Sequence, residues 1–163
     1  DDYLKKNKIS KINYYFSKYK NLEFIFDRPQ MINLKGIISR NRKNYSFREN
    51  KWPLFPPQSC ISVKRKTIQK NISKLFKEKF PLTTLDFRIA ALSDQFRDNA
   101  FFLDNELTYY FQHDDNESNK NFSLFNSNWF KRRLEGFDYY ETVNKKKIRS
   151  LDYYFTRIAN ILF

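Results

Sequence analysis

Glycine is almost absent from this chain, and that feature constrains the fold more than any other. Gly36 and Gly136 are the only two glycines among 163 residues. Phosphate-binding loops of nucleotide enzymes need several closely spaced glycines, so this class of site is excluded. Aromatic residues make up 19% of the chain, a share that argues against a disordered composition. We therefore expect a folded chain whose length suits a single domain.

Apolar residues recur at helical spacing in four segments, which we expect to be amphipathic helices. Their apolar positions are Ile12, Phe16 and Tyr19 within residues 3–20; Ile61, Ile68, Ile72, Leu75 and Phe76; Leu85, Ile89, Leu92 and Phe96; and Ile148, Leu151, Phe155, Ile158 and Leu162. Thr83, with Asp86 three residues later, resembles a capping box that starts the third helix. Lys145 to Lys147 are expected at the start of the last helix, where lysines oppose the helix dipole and indicate an anion nearby.

Strands are predicted in two regions. Residues 22–26 form a short apolar run that Pro29 is expected to end, with residues 31–38 as the pairing partner. Residues 101–111 fit either a helix or a strand, and both readings stay open. The expected fold class is α+β and helix-rich, in a single domain with an extended basic segment.

These patterns divide the chain into three segments. Residues 1–38 hold the first helix and the short strands, and residues 61–163 are mainly helical with an acidic middle. Residues 39–60 show neither helical nor strand periodicity, and their prolines fix φ and remove backbone donors. We expect residues 39–60 to be an extended, basic and proline-rich arm.

Charge is segregated along the chain. Residues 1–80 carry 20 Lys and Arg against six Asp and Glu, whereas residues 81–122 carry three against eight. The whole chain has a net charge of +13. A basic face built mainly by the N-terminal half, with the acidic middle turned away, indicates a large anionic partner in which phosphate supplies the charge.

Candidate catalytic and metal-binding groups are sparse. His113 is the only histidine, and with Asp114, Asp115 and Glu117 it forms a polar segment more typical of a solvated loop than of a metal site. Cys60 is the only cysteine and is expected to be an inert, reduced thiol. Asp104 and Glu106 form an acidic pair, but acid–base catalysis by such a pair needs two different environments, which a sequence does not show. No catalytic residue, metal or cofactor is predicted, and the chain is not expected to be an enzyme.

Cations alternate with aromatic residues along the arm, and further cations cluster in three places after it. Such strips pair phosphates while their rings stack on exposed bases, and phosphate contacts position a protein without reading sequence. The predicted RNA-binding residues are Arg40, Arg42, Lys43, Tyr45, Arg48, Lys51, Trp52, Lys64, Arg65, Lys66, Lys70, Lys131, Arg132, Arg133, Lys145, Lys146 and Lys147.

The composition itself carries a resemblance. Phe, Tyr, Met, Ile, Asn and Lys, whose codons are rich in A and T, supply 80 of the 163 residues. Together with the scarcity of glycine and the basic character, this skew resembles organelle-encoded mitochondrial ribosomal proteins and the unassigned reading frames of ciliate-type mitochondrial genomes. The resemblance covers the whole chain.

A local resemblance lies in the C-terminal part. Asn126 to Phe130, then Tyr139-Tyr140, Ile148-Arg149 and Tyr154-Phe155, is similar to the opening segment of the small-subunit ribosomal protein that carries a KH domain. In that family the segment leads into a fold with a Gly-x-x-Gly clamp, and this sequence has no such motif. No functional residue of the family is therefore assigned here.

The resemblance implies a non-catalytic, rRNA-binding component of a mitochondrial ribosome, located in the matrix. Its partners would be ribosomal RNA and neighbouring ribosomal proteins, with no small-molecule substrate and no membrane-spanning segment. One alternative stays open, which is a soluble accessory subunit of a mitochondrial respiratory or ATP-synthase complex. In that case anionic lipid headgroups would take the place of RNA.

Overall fold

The computed structural model describes residues 2–33, 35–36, 38–40, 45–47, 52–112 and 127–162, with the backbone alone for residues 38–40. The fold is α+β and helix-rich, as predicted. Contacts between residues define two compact units. The sheet unit comprises Asp1–Ser46, Leu54–Ile72 and Phe96–His113, and the helical unit comprises Phe47–Pro53, Ser73–Gln95 and Asp114–Phe163. The boundaries expected at residues 38 and 60 remain predictions.

The sheet unit is built on a mixed sheet. Its strands are β1 (Tyr3–Leu4), β2 (Phe24–Asn33), β3 (Ile38–Arg40), β4 (Ile61–Val63) and β5 (Ala100–Gln112). β5 lies between β1 and β2, and β3 and β4 both pair with β2. β2 and β5 run parallel, whereas the other pairings are antiparallel. The two long strands form the centre of the sheet, so the region left open between helix and strand, residues 101–111, is strand.

Helix α1 (Lys8–Lys18) packs against this sheet and confirms the first predicted helix. Ile12 is buried in one cluster with Leu22, Ile25, Leu103 and Leu107. The helix begins later than the expected residue 3, because β1 pairs with β5 instead. Apolar spacing identified the helix, and strand pairing set its first residue.

Pro29 does not end a strand, so that prediction is wrong. β2 runs through it without a break. The register between β2 and β5 shifts on both sides of Arg28, and sheets accept proline at such irregularities because the ladder is already interrupted there. The predicted partner, residues 31–38, is also wrong: its first residues continue β2, and β3 pairs with them.

The single helix predicted from Ile61 to Phe76 is instead a strand followed by two short helices. Its first residues form β4, which pairs with the start of β2. Helices α2 (Arg65–Lys70) and α3 (Ile72–Leu75) follow, and the buried Asn71 between them donates from Nδ2 to the Thr67 carbonyl at 2.9 Å. β-Branched residues favour strands where a partner is available, and helical spacing alone does not reveal that partner.

The helical unit contains α4 (Leu85–Ser93), α5 (Ser127–Asn144) and α6 (Leu151–Leu162). The helices α4 and α6 were predicted, whereas α5 lies outside the segments with clear helical spacing. The buried aromatic side chains of this unit are Phe80, Phe87, Phe130, Phe137, Tyr139 and Tyr140. Trp52 stacks on Phe87 at 4.5 Å between ring centroids, and a Cβ at Gly136 would lie 2.6 Å from the Trp52 ring. The second glycine of the chain is thus required by a close approach.

The expected capping box at Thr83 is wrong. α4 begins after Thr84, which makes no side-chain capping bond. Thr83 instead donates from its backbone N and its Oγ1 to Oε1 of Glu135, both at 2.8 Å. Arg88 is buried and donates to the carbonyls of Leu75 and Thr83 at 2.5 and 2.9 Å, so it holds the chain before α4 in place.

Candidate nucleic-acid interface

Four of the predicted RNA-binding cations lie at helix α2. Lys64 occupies the position before the helix, and Arg65, Lys66 and Lys70 lie on its exposed side. The buried side of the helix carries Thr67. The exposed side of α2 is therefore cationic, whereas Thr67 is buried.

Lys64 connects this helix to the end of α1. Its Nζ donates to the Lys20 carbonyl at 2.7 Å and lies 5.7 Å from the centroid of the Phe16 ring. Its backbone N–H donates to the Glu23 carbonyl at 3.1 Å. These contacts place α2 beside the residues that follow α1. We call the surface formed by Lys20, Lys64, Arg65, Lys66 and Lys70 the α1–α2 basic surface.

Glu23 is the acid that pairs with the lysines at the start of α2. Its Oε1 lies 3.8 Å from Nζ of Lys64 and 3.7 Å from Nζ of Lys66, while its Oε2 accepts a hydrogen bond from Thr67. Within the described part of the chain, no carboxylate forms an ion pair with Arg65 or Lys70. The acid fixes two cations in position, and the surface keeps a net positive charge.

Exposed aromatic rings adjoin the cations at the end of α1. Nζ of Lys18 lies 5.6 and 5.4 Å from the ring centroids of Tyr14 and Tyr19, and its hydrogen bond with Tyr14 raises the Lys18 pKa. Tyr15 stacks on Tyr19 at 6.3 Å and contacts Phe101. A cleft of about 450 Å³ is lined by Tyr19, Lys20, Asn21, Leu22, Asp98, Asn99, Ala100 and Phe101. Rings beside ammonium groups can stack unpaired bases while the cations hold the backbone.

Lys18, Lys20 and the tyrosines were not among the predicted site residues. These residues belong to the basic N-terminal half of the sequence. Only the fold brings the end of α1 beside α2. The available signal was the Lys-x-Lys pair at the end of the first helical pattern. Sequence spacing links residues within one helix and is silent on residues 44 positions apart.

The arm is only partly described. Arg42, Lys43, Arg48 and Lys51 lie outside the described residues, and Arg40 is described by its backbone in β3. Tyr45 is half-buried beside a cleft of about 270 Å³ that Phe26 and Phe102 also line. The role of the arm in RNA binding remains a prediction.

Trp52 and Arg133, two predicted RNA ligands, contact each other inside the helical unit. The Arg133 guanidinium lies 4.3 Å from the Trp52 ring centroid, and its Nε donates to Oδ1 of Asp152 at 3.0 Å. Trp52 also packs on Phe137 at 4.9 Å between centroids. Both side chains therefore have a packing role, whereas Lys131 on α5 is exposed.

Lys145 to Lys147 do not start the last helix, which corrects the prediction. α6 begins at Leu151, and Lys145 instead follows the last residue of α5, where its φ of 57° and its N–H bond to the Glu141 carbonyl close the helix. Cations at a helix C-terminus are favoured by the dipole, so they need no anion there. Lys147 pairs with Glu141 at 3.3 Å, and Lys145 and Lys146 are exposed.

A buried ion pair in the sheet unit was missed by sequence reasoning. Nζ of Lys8 lies 2.7 Å from Oδ1 of Asp27 and donates to Oγ1 of Thr108 and to the Ser59 carbonyl, both at 2.6 Å. Thr108 donates to Oδ2 of Asp27 at 2.7 Å. Desolvation raises the Asp27 pKa, and the Lys8 ammonium opposes that rise. Because all these side chains are buried, the cluster is suited to stability rather than to turnover of a substrate.

The remaining candidate groups are Cys60, Asp104 and the segment around His113. Cys60 is fully buried beside Asp27, and desolvation raises its pKa to about 12, which keeps the thiol protonated. Asp104 is exposed and pairs with Nε of Arg28 at 2.6 Å. No group of three metal-ligating side chains occurs among the described residues, and His113, Asp114, Asp115 and Glu117 lie outside them.

Comparisons with known proteins return no relative. No protein-family model, no curated protein and no solved structure matches the chain. The described helices also include none with the length and apolar character needed to cross a membrane. The function is therefore inferred from this chain's own residues.

Proposed function

We propose that this chain is a non-catalytic RNA-binding component of a mitochondrial ribosome, and that the α1–α2 basic surface contacts ribosomal RNA. The observation that carries the proposal is that the Lys64 contact with the Lys20 carbonyl places the cations of α2 beside the chain that follows α1. Two further features support it: the net charge of +13 and the compositional resemblance to organelle-encoded ribosomal proteins.

The chemistry of the surface suits structured RNA with local unpaired bases. Lysine and arginine side chains neutralise backbone phosphates and release counterions, which gives affinity without sequence preference. Tyr14 and Tyr19 are exposed next to Lys18 and can stack on bases that leave a helix. The chain would then fix the position of an RNA element rather than read its sequence.

The direct test compares two charge-matched double variants. Arg65→Gln with Lys70→Gln removes two cations of the basic surface, whereas Lys5→Gln with Lys6→Gln removes two before the first turn of α1. We expect the first pair to lower affinity for a structured rRNA fragment at least about tenfold and to reduce the slope of log affinity against log salt by about two. The second pair should change affinity far less. Equal losses in both variants would contradict the assignment, because net charge alone would then explain binding.

Membership of the assembly is tested on the native particle. We expect the chain to co-sediment with rRNA when mitochondrial assemblies are separated, and to be released by ribonuclease. Co-purification with a respiratory or ATP-synthase complex, insensitive to ribonuclease, would instead support the accessory-subunit alternative.

A further inference from the structure

Helix α6 has an inverted pattern of burial. Its buried side chains are the small residues Thr156 and Ala159. Its exposed side chains are mostly apolar, namely Leu151, Tyr154, Phe155, Ile158, Ile161 and Leu162. These residues recur at spacings of three and four, so they form one stripe along the helix. Leu151 and Ile161 are 90% and 80% exposed, and a stripe of this kind marks a surface that another body covers.

Cations border the same stripe. Lys147, Arg149 and Arg157 line a cleft of about 180 Å³ together with Tyr153, Tyr154 and Glu141. Tyr154 belongs both to this cleft and to the apolar stripe, so the two features adjoin. Glu141 pairs with Lys147 at 3.3 Å, and Arg149 and Arg157 remain exposed. The cleft therefore offers a net positive charge at the edge of an apolar helix.

We propose that α6 and its cationic cleft dock on an anionic phospholipid surface. The apolar stripe enters the boundary between headgroups and acyl chains, and the cleft takes a lipid phosphate. Helices that lie in this boundary combine an apolar face with flanking Lys and Arg. A helix of 12 residues extends about 18 Å, which suits lying on a bilayer and is too short to span it. This inference does not depend on the RNA-binding proposal, since it concerns a different surface.

Charge distinguishes the lipid surface from other occupants. A second copy packed on the stripe would cover the apolar side chains and leave the cationic cleft without an anion. An RNA would pair with the cations and leave Ile158 and Ile161 in water. An anionic membrane satisfies the cations and the apolar stripe together.

The test is sedimentation of the purified full chain with vesicles of phosphatidylcholine, with and without phosphatidylserine. We expect binding to the vesicles that contain phosphatidylserine. Ile158→Ser with Ile161→Ser should lower this binding at least about tenfold, and Arg149→Gln with Arg157→Gln should do the same. Because Ile158 and Ile161 are exposed, the first variant should keep the wild-type melting temperature.

Two controls separate the outcomes. Ile9→Ser with Ile72→Ser removes two exposed apolar side chains of the sheet unit and should leave vesicle binding unchanged. Affinity for the rRNA fragment should be unchanged in Ile158→Ser with Ile161→Ser, so failure of one proposal does not imply failure of the other. The lipid proposal is overturned if the wild-type chain binds neither type of vesicle, whether or not RNA binds at the cleft. It is also overturned if the Ile9/Ile72 variant and the Ile158/Ile161 variant lose vesicle binding equally.

Discussion

Helices α1 and α6 carry the same kind of apolar spacing, and they use it in opposite ways. α1 buries Ile12 in the sheet-unit core, with Tyr15 and Phe16 packed against it. α6 turns Ile158 and Leu162 outward and buries small residues instead. Amphipathic spacing therefore identifies a helix and does not identify what covers its apolar side. On α6 that side is exposed among the described residues, which is why we propose it as an interaction surface.

The largest expected effect concerns the cations of the two helices. α1 buries Lys8 against Asp27, whereas α6 exposes Arg157. Lys8→Met should lower the free energy of unfolding by about 3–5 kcal/mol, because it leaves a buried carboxylate without its partner. Arg157→Met should change it by less than about 0.5 kcal/mol. Urea unfolding of both variants measures these free energies. Equal losses would contradict the claim that only Lys8 has a buried partner.

The pH dependence sharpens that prediction. Burial raises the Asp27 pKa above its ordinary value of 3.8, and Lys8 limits the rise. Without Lys8 the folded-state pKa lies higher still, so the native state holds its proton over a wider range than the unfolded state. Stability of the variant then falls as pH rises from the unfolded-state pKa through the folded-state pKa. We expect the cost of Lys8→Met to be larger at pH 7 than at pH 4. An equal cost at both pH values would show that Asp27 charge is not its cause.

The next effect compares isoleucines directly. Ile12→Ala should lower the free energy of unfolding by about 2–4 kcal/mol, since it opens a cavity in the cluster with Leu103 and Leu107. Ile158→Ala should lower it by less than about 0.5 kcal/mol. Chemical denaturation of the two variants checks this. A large loss for Ile158→Ala would mean that the chain itself covers the stripe.

A smaller effect tests how closely the side chains of the helical unit pack around Gly136. Gly136→Ala should cost about 1–3 kcal/mol, because the added Cβ would meet the Trp52 ring. Trp52→Phe should reduce the additional cost of Gly136→Ala in a double-mutant cycle of unfolding free energies. Additive effects would show that the two side chains do not compete for space.

Local patterns predicted much of the fold. The spacing of Ile12 and Phe16 identified α1, that of Leu85 and Ile89 identified α4, and the last apolar stripe identified α6. The class, α+β and helix-rich, followed from these elements. Where long-range pairing decided the outcome, prediction failed: Pro29 lies at a register shift with β5, and β4 forms because β2 is its partner.

The candidate site was likewise predicted where residues cluster in the sequence and missed where distant segments meet. Lys64, Arg65, Lys66 and Lys70 were predicted from their clustering, and they lie together at α2. The contribution of α1 depends on the Lys64 contact with the Lys20 carbonyl, and the Lys8 pair with Asp27 depends on β2 lying beside α1. Both are contacts between distant segments, which neither composition nor spacing reveals.

The measurement that tests the central claim most directly is the affinity of the full chain for structured RNA as a function of salt. Contacts with about five to eight phosphates predict a loss on the order of a thousandfold between 50 and 200 mM salt, with little dependence on RNA sequence. Neutralising Asp114, Asp115 and Glu117 should leave this affinity equal or slightly higher. An affinity that stays flat across this salt range would contradict phosphate contacts on a basic surface as the basis of function.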